Sequence, residues 1–282
     1  MNVLEVTPIL EPLMNPAVTL ASGAIMLGIL FAATGSLARV EAAEAWQASF
    51  ARDEYESGDT TLRYRLFTPP ASSDNAKPPL VLFLHGAGER GDNNVAQLKH
   101  GVKEFHTRQA SHPCVVLAPQ CPAGQKWVEV DWGGVQGSGT FPAQPSEPLR
   151  LAIEVMDSLV SAGRVDPNRV YVTGLSMGGY GTWYAAAMPG SRFAAAAPVC
   201  GGGDPDWAKR YVGLPLWAFH GEDDRVVSVG RSREMIQAIK SAGGEPRYTE
   251  YPAVGHDSWT QAYVDEAFHD WLFAQGKKDK EG

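Results

Sequence analysis

Two uninterrupted apolar runs bound what this chain can fold into: Leu80-Val81-Leu82-Phe83-Leu84 and Val115-Val116-Leu117-Ala118. Neither alternates apolar with polar residues, as a strand with one wet face would. Strands buried on both faces read this way, and they occur mostly in parallel sheets covered by helices on each side. The rest of the chain fits that frame. Trp46 to Leu66 reads as strands in a meander, with Leu62, Tyr64 and Leu66 alternating with polar neighbours. Helical spacing around Val95 to Arg108 separates the two runs. Ser146 stands where an N-cap belongs, ahead of Leu149, Ile153, Met156, Leu159 and Val160, and Gly163 stands at the C′ position. Short strands are predicted at Val170–Val172, Phe193–Val199, Leu214–Phe219 and Tyr248–Tyr251. Helices are predicted at Met177–Met188, around Met235 to Ile239 and, to close the chain, Trp259–Phe273. Strands alternating with helices imply one mainly parallel sheet with helices on both faces. There is no internal repeat and no linker, so residues 46–282 read as a single domain.

The N-terminus has a different character. Val18 to Ala38 is almost wholly apolar and is followed by Ala42-Ala43-Glu44-Ala45, where small residues suit a signal-peptidase site. Residues 1–45 therefore read as an export signal, with an uncleaved membrane anchor or a buried core helix as the other readings. Export places the mature protein in the periplasm or outside the cell, and membrane contact arises only if the segment stays uncleaved. The formal charge of −8, with no Lys/Arg run in the chain body, argues against a nucleic-acid partner. The three cysteines, Cys114, Cys121 and Cys200, lack metal-site spacing. Cys121 and Cys200 each follow a strand-like run, which leaves open a bridge between them or buried free thiols.

The chemistry concentrates where strands end. Gly174-Leu175-Ser176-Met177-Gly178-Gly179 has the form Gly-x-Ser-x-Gly, directly after one predicted strand and at the start of a predicted helix. In that setting the turn lifts a serine hydroxyl above the sheet edge at a helix N-terminus. A serine hydroxyl needs a base, and His256, between the last strand and the closing helix, is best placed. His85 and His220 read as turn braces. The base needs an acid to fix its tautomer, and Glu222, Asp223 and Asp224 all follow a strand. A developing oxyanion needs donors. The backbone N–H of Met177 is one; the loop His85-Gly86-Ala87-Gly88 supplies the other from Ala87, with Gly88 in reserve. No Lys-Ser/Thr follows this glycine-rich loop, so it is not a phosphate cradle.

These strings, with Ala118-Pro119-Gln120-Cys121, His220-Gly221-Glu222-Asp223-Asp224-Arg225-Val226-Val227 and Gly255-His256, resemble an α/β-hydrolase of the esterase/dienelactone-hydrolase type. Within it the chain is similar to the bacterial phospholipase/carboxylesterase, or prolyl-oligopeptidase-like, serine hydrolases related to feruloyl and polyhydroxybutyrate esterases. The resemblance spans residues 80 to 260. It implies a Ser176–Asp224–His256 triad, since the family string His-Gly-x-x-Asp-x-Val-Val laid on His220 selects Asp224. Val226 and Val227 agree with that choice, because their apolar side chains would anchor that side of the turn. Glu222 and Asp223 then read as exposed acids near Arg225. The implied activity is hydrolysis of a small-molecule or polymer ester through an acyl-enzyme on Ser176, without metal or organic cofactor. Peptidase or amidase action, and an idle binding protein, are the alternatives. The aperiodic stretch 119–146 has the length of a functional loop, and its Trp127 and Trp132 are the candidates for lining a substrate cleft. Trp183, Trp207 and Trp259 could serve there or in the core.

Overall fold

In the computed structural model, which describes residues 46–72, 76–132, 139–190 and 192–277, eight strands form one sheet. They are β1 (Ala51–Ser57), β2 (Thr60–Phe67), β3 (Leu80–Leu84), β4 (Val115–Gln120), β5 (Val170–Leu175), β6 (Ala195–Val199), β7 (Trp217–Gly221) and β8 (Arg247–Tyr251). Their order is β1-β2-β4-β3-β5-β6-β7-β8. β1 and β2 form an antiparallel hairpin, β2 pairs antiparallel with β4, and every later pair is parallel. The chain divides into two units, Met1–Gln47 and Ala48–Gly282. The expected export segment, residues 1–45, lies outside the described residues. Among the described residues no helix is long and apolar enough to cross a membrane.

Among the described residues six α-helices accompany the sheet: α1 (Val102–Thr107), α2 (Glu147–Ser161), α3 (Met177–Ala186), α4 (Gly230–Ser241), α5 (Trp259–Val264) and α6 (Glu266–Phe273). Every residue of β3 and β4 is buried, and the period of two sorts the β3 side chains between faces. Leu80, Leu82 and Leu84 join one core with Leu149, Ile153 and Met156 of α2 and Trp183 of α3. Phe83 points the other way, with ring centroids 6.1 Å from Phe105 of α1 and 5.3 Å from Tyr263 of α5. Both faces are thus covered, as the apolar runs require. Burying one such side chain stabilises the fold by about 1.5–3 kcal/mol. An exposed pair such as Arg63–Glu54, at 2.8 Å across the hairpin, contributes at most about 1 kcal/mol. Apolar burial therefore dominates the sheet's cohesion.

The helix ends follow local chemistry. Ser146 caps α2 by accepting from the Leu149 N–H. At the other end Gly163, at φ +67°, donates to Val160 O while Arg164 donates to Leu159 O, which is the glycine-terminated exit read from the sequence. Three expectations need correction. The strand expected from Trp46 begins at Ala51. The helical stretch expected from Val95 is a short 3₁₀ turn at Ala96–Leu98 followed by α1. The closing helix breaks at Asp265, whose backbone is extended (φ −69°, ψ 115°) and whose carboxylate caps the second piece by accepting from Ala267 N–H. An Asp that offers its own backbone a capping bond competes with helix continuation.

Candidate active site

β4 and β5 flank β3, so the chain leaves β3 in one direction and later returns past it in the other. At such a reversal the loops beyond the strand C-termini splay apart and leave a crevice. The turn from β5 into α3 lies there. Ser176 adopts φ +54°, ψ −117°, a region that costs a non-glycine residue about 1–3 kcal/mol. Neighbouring bonds hold it in place: Ser176 N–H donates to Val199 O at 2.9 Å, and its carbonyl accepts from Tyr180 N–H at 3.1 Å. Gly178 makes the tight turn possible, since a Cβ there would sit 1.9 Å from Leu84 O. Ser176 remains partly exposed while the residues around it from Val170 to Tyr180 are buried.

The loop after β8 brings His256 to this serine. Its approach to β7 needs a second glycine, for a Cβ on Gly221 would lie 2.2 Å from Gly255 O. His256 Nε2 lies 2.9 Å from Ser176 Oγ, and Nδ1 lies 2.7 Å from Asp224 Oδ2. A carboxylate only accepts, so Nδ1 carries the proton and donates. Nε2 is left with its lone pair facing the serine, and the Oγ–H donates to it. Asp224 has a wholly buried side chain, and its Oδ1 accepts from the Val226 and Val227 N–H groups at 2.8 and 2.9 Å. Burial pushes the Asp224 carboxyl up; hydrogen bonds from His220, His256 and the two amides outweigh it and hold it well below the usual carboxylate range. The expected side-chain anchoring holds for Val227, which is buried in the core, whereas Val226 is 55% exposed and acts through its amide alone. Glu222 and Asp223 are exposed as expected, but among the described residues no ion pair joins either to Arg225.

The loop after β3 faces the elbow. Ala87 and Met177 each stand first in a helical turn, where an N–H has no intrahelical partner, and among the described residues no loop or turn carbonyl takes either of them. Gly88 is the more exposed of the two loop candidates. Three side chains shape this loop. His85 is buried, donating from Nδ1 to Gly86 O at 2.7 Å and accepting at Nε2 from Cys121 N–H at 2.9 Å. Burial lowers its pKa to about 4, which keeps it neutral as that pattern demands. Arg90 Nε donates to Ala87 O at 2.8 Å, and Trp127 Nε1 donates to His85 O at 3.0 Å. Sequence reasoning assigned no role to Arg90. Its place in the Gly-Glu-Arg-Gly run was the available signal.

Residues 71–267 match the family model for phospholipase/carboxylesterase. The chain belongs to that family. A crystal structure of a thermostable esterase superposes with a TM-score of 0.75 at 38% identity, covering 83% of this chain and 64% of that one. The bifunctional acetylxylan esterase/xylanase XynS20E of Neocallimastix patriciarum is 27% identical, over 53% of this chain and 20% of its own length. The carboxylesterase SOBER1 of Arabidopsis thaliana is 25% identical, over 62% of this chain and 82% of its own. This chain thus spans about a fifth of the first of these curated relatives and most of the second. With the sheet order above, these likenesses establish the α/β-hydrolase fold.

In this phospholipase/carboxylesterase-family chain the two expected cleft tryptophans part company. Trp127 is completely buried, its ring edge-on to His85 at 5.2 Å, so it supports the loop from below and does not line a cleft. Trp132 is partly buried, 6.3 Å from Tyr180 of α3 and beneath the Lys126 ammonium at 4.7 Å. Trp259 is also partly buried, standing edge-on to His256 at 5.4 Å. Trp183 is core, and Trp207 lies under the Arg210 guanidinium. Trp127→Ala is therefore expected to cost about 3–5 kcal/mol of stability, read as a lowered Tm. Trp132→Ala tests the cleft role expected of that residue: a rise in KM of about two- to tenfold, the scale of one aromatic contact, with little change in Tm, is the outcome that would support it.

All three cysteines are free and buried. A Cys121–Cys200 bridge is excluded by topology: they follow β4 and β6, three strand spacings apart, or about 14 Å, whereas a disulfide needs Cα atoms within about 7 Å. Burial pushes the Cys121 thiol up to about 12. Cys200 Sγ, an Asp224 oxygen and a His256 ring nitrogen lie within 4.8 Å of one another. The Asp224 and His256 atoms are committed to each other, and burial raises the Cys200 pKa, so this donor set suits proton transfer better than metal binding.

Proposed function

We propose that the protein is a serine carboxylesterase in which Ser176, His256 and Asp224 act as nucleophile, base and buried acid. The observation that carries this is the unbroken run of 2.9 and 2.7 Å contacts from a strained, accessible serine to a buried carboxylate. Ser176 Oγ attacks the ester carbonyl while His256 Nε2 takes its proton. The imidazolium that forms is stabilised by Asp224. The carbonyl oxygen becomes an oxyanion facing the Met177 and Ala87 N–H groups. Collapse expels the alcohol, which takes the proton from His256, and leaves the acyl group on Ser176. Water, deprotonated by the same imidazole, then attacks the acyl-enzyme, releases the acid and restores the serine.

Ester chemistry is favoured by the family and by the esterase of similar structure. Trp132 and Trp259 suit a flat or apolar substituent on the substrate. The test compares p-nitrophenyl esters of acetyl, butyryl, longer-chain and aromatic acids with a peptide anilide on the purified protein. Ester turnover with anilide turnover at background supports the reading. Faster anilide turnover would make the protein an amidase on the same residues, and no turnover of either would leave a binding protein. Export belongs to the same proposal. It is supported by the apolar Val18–Ala38 stretch ahead of Ala43 and Ala45 and by a relative, 24% identical, described as a secreted protein of Arthroderma benhamiae. Amino-terminal sequencing of protein from the native host tests it.

A further inference from the structure

His220 lies outside the three-residue relay and yet touches it. Its side chain and that of Asp224 are both wholly buried, with Nε2 3.2 Å from Asp224 Oδ2. The same nitrogen is 2.9 Å from Val227 O. Both neighbours only accept, so Nε2 carries a proton and shares it between them. On the far side of the ring, Nδ1 lies 2.7 Å from Ser232 Oγ, which is itself 3.3 Å from Gly201 O. α4 and the end of β6 therefore hold the ring from behind.

We propose that His220 is a positioning residue, which holds Asp224 Oδ2 at the angle from which it accepts the His256 proton. This rests on the Ser176–His256–Asp224 reading and extends it. The two amides anchor Oδ1 alone. Without His220 the only side-chain donor to Oδ2 among the described residues is His256, so the group to be oriented would have to orient its own acceptor. His220 breaks that circularity, because its position is set independently by Ser232 and Val227. It also shares the charge on Oδ2 and so limits how tightly Asp224 holds the imidazolium. Asp224 contacts His220 from β7 and His256 from the loop after β8, with Cys200 at the end of β6 within 4.8 Å; Tyr180 of α3 interacts with it electrostatically, and Glu250 of β8 is the register partner of His220.

The test uses three variants and one ester, with kcat, KM, the pH profile of kcat/KM and circular dichroism for each. In His220→Asn the amide reaches only the Nδ1 position, so Ser232 keeps a partner and Asp224 loses its donor. In His220→Gln the amide nitrogen reaches the Nε2 position. Asp224→Asn is the reference. The Asn variant should lose about 10- to 100-fold in kcat, the weight of one hydrogen bond to a charged group, with KM nearly unchanged. Its acid limb should move to higher pH, because a less shared Oδ2 charge favours the His256 imidazolium. The Gln variant should recover most of the activity and the original limb. A folded Asn variant with normal kcat and an unmoved limb would overturn the proposal, as would equal losses in both variants with an unmoved limb, the mark of a core-filling role. Should the Asn variant not fold, a folded Gln variant decides: near-normal kcat supports the proposal and a loss of tenfold or more overturns it. Full activity of Asp224→Asn would instead bring down the triad reading beneath it.

Discussion

Ser176→Ala is expected to lower kcat by about 10⁴- to 10⁶-fold with the fold intact. The substitution removes one oxygen. The backbone bonds that hold the elbow, Ser176 N–H to Val199 O and Tyr180 N–H to Ser176 O, do not involve it. Alanine at φ +54° is strained much as serine is, so the turn has no reason to relax. What disappears is the atom 2.9 Å from His256 Nε2, and with it the covalent route. The residual rate should be that of the N–H donors and binding acting on water. Kinetics on purified protein, with circular dichroism and active-site titration by a fluorophosphonate, checks this. A variant that kept a tenth of the activity, or that still took up the probe, would remove Ser176 from the chemistry.

Asp224→Asn should cost about 10⁴ in kcat, whereas Asp223→Asn should cost less than about tenfold, the scale of a surface charge change. An asparagine at 224 can keep its oxygen on the Val226 and Val227 amides. Its NH₂ group then faces His256 Nδ1, where Asp224 now accepts at 2.7 Å. The NH₂ donates, so Nδ1 must become the acceptor and the ring proton moves to Nε2. That nitrogen then points a proton at Ser176 and cannot take one. Asp223 differs in each respect. It is exposed, and its backbone N–H donates to Val254 O at 2.9 Å, outside the relay. Both variants compared on one ester, with folding confirmed, decide the matter. A severe loss for Asp223→Asn beside a mild one for Asp224→Asn would reverse the assignment.

Features that depend on a few consecutive residues were legible in the chain itself. Two apolar runs required strands covered on both faces, and β3 and β4 have every residue buried. Gly-x-Ser-x-Gly between a strand and a helix required a sharp turn, and the contact that forbids a Cβ at Gly178 is the reason. Ser146 and Gly163 marked the two ends of α2 because capping is settled within one turn of helix. The candidate nucleophile and base could be named, and the acid narrowed to Glu222, Asp223 and Asp224, because each follows the end of a strand and strand ends at one edge of a parallel sheet gather on one side; the family resemblance then selected Asp224.

Tertiary structure decided which way side chains face and what they touch. Trp127 sits in an aperiodic loop, so no sequence period gives its direction; packing turned it inward, where its N–H could be satisfied by His85 O. Cys121 and Cys200 look equivalent along the chain, but the strand order places β3 and β5 between their strands. His220 and Asp224 are four residues apart across a strand end, where neither helical nor strand spacing applies, and only the fold brings Nε2 to Oδ2. Val226 supports Asp224 through its amide and not its methyl groups, because the turn spends its backbone donors on the buried carboxylate while one valine side chain stays in water. Local chemistry named the residues and the turns, since propensity, capping and steric exclusion act over a few bonds. Contact and burial came from segments tens of residues apart, because the solvent each side chain loses is displaced by atoms that are remote in the sequence.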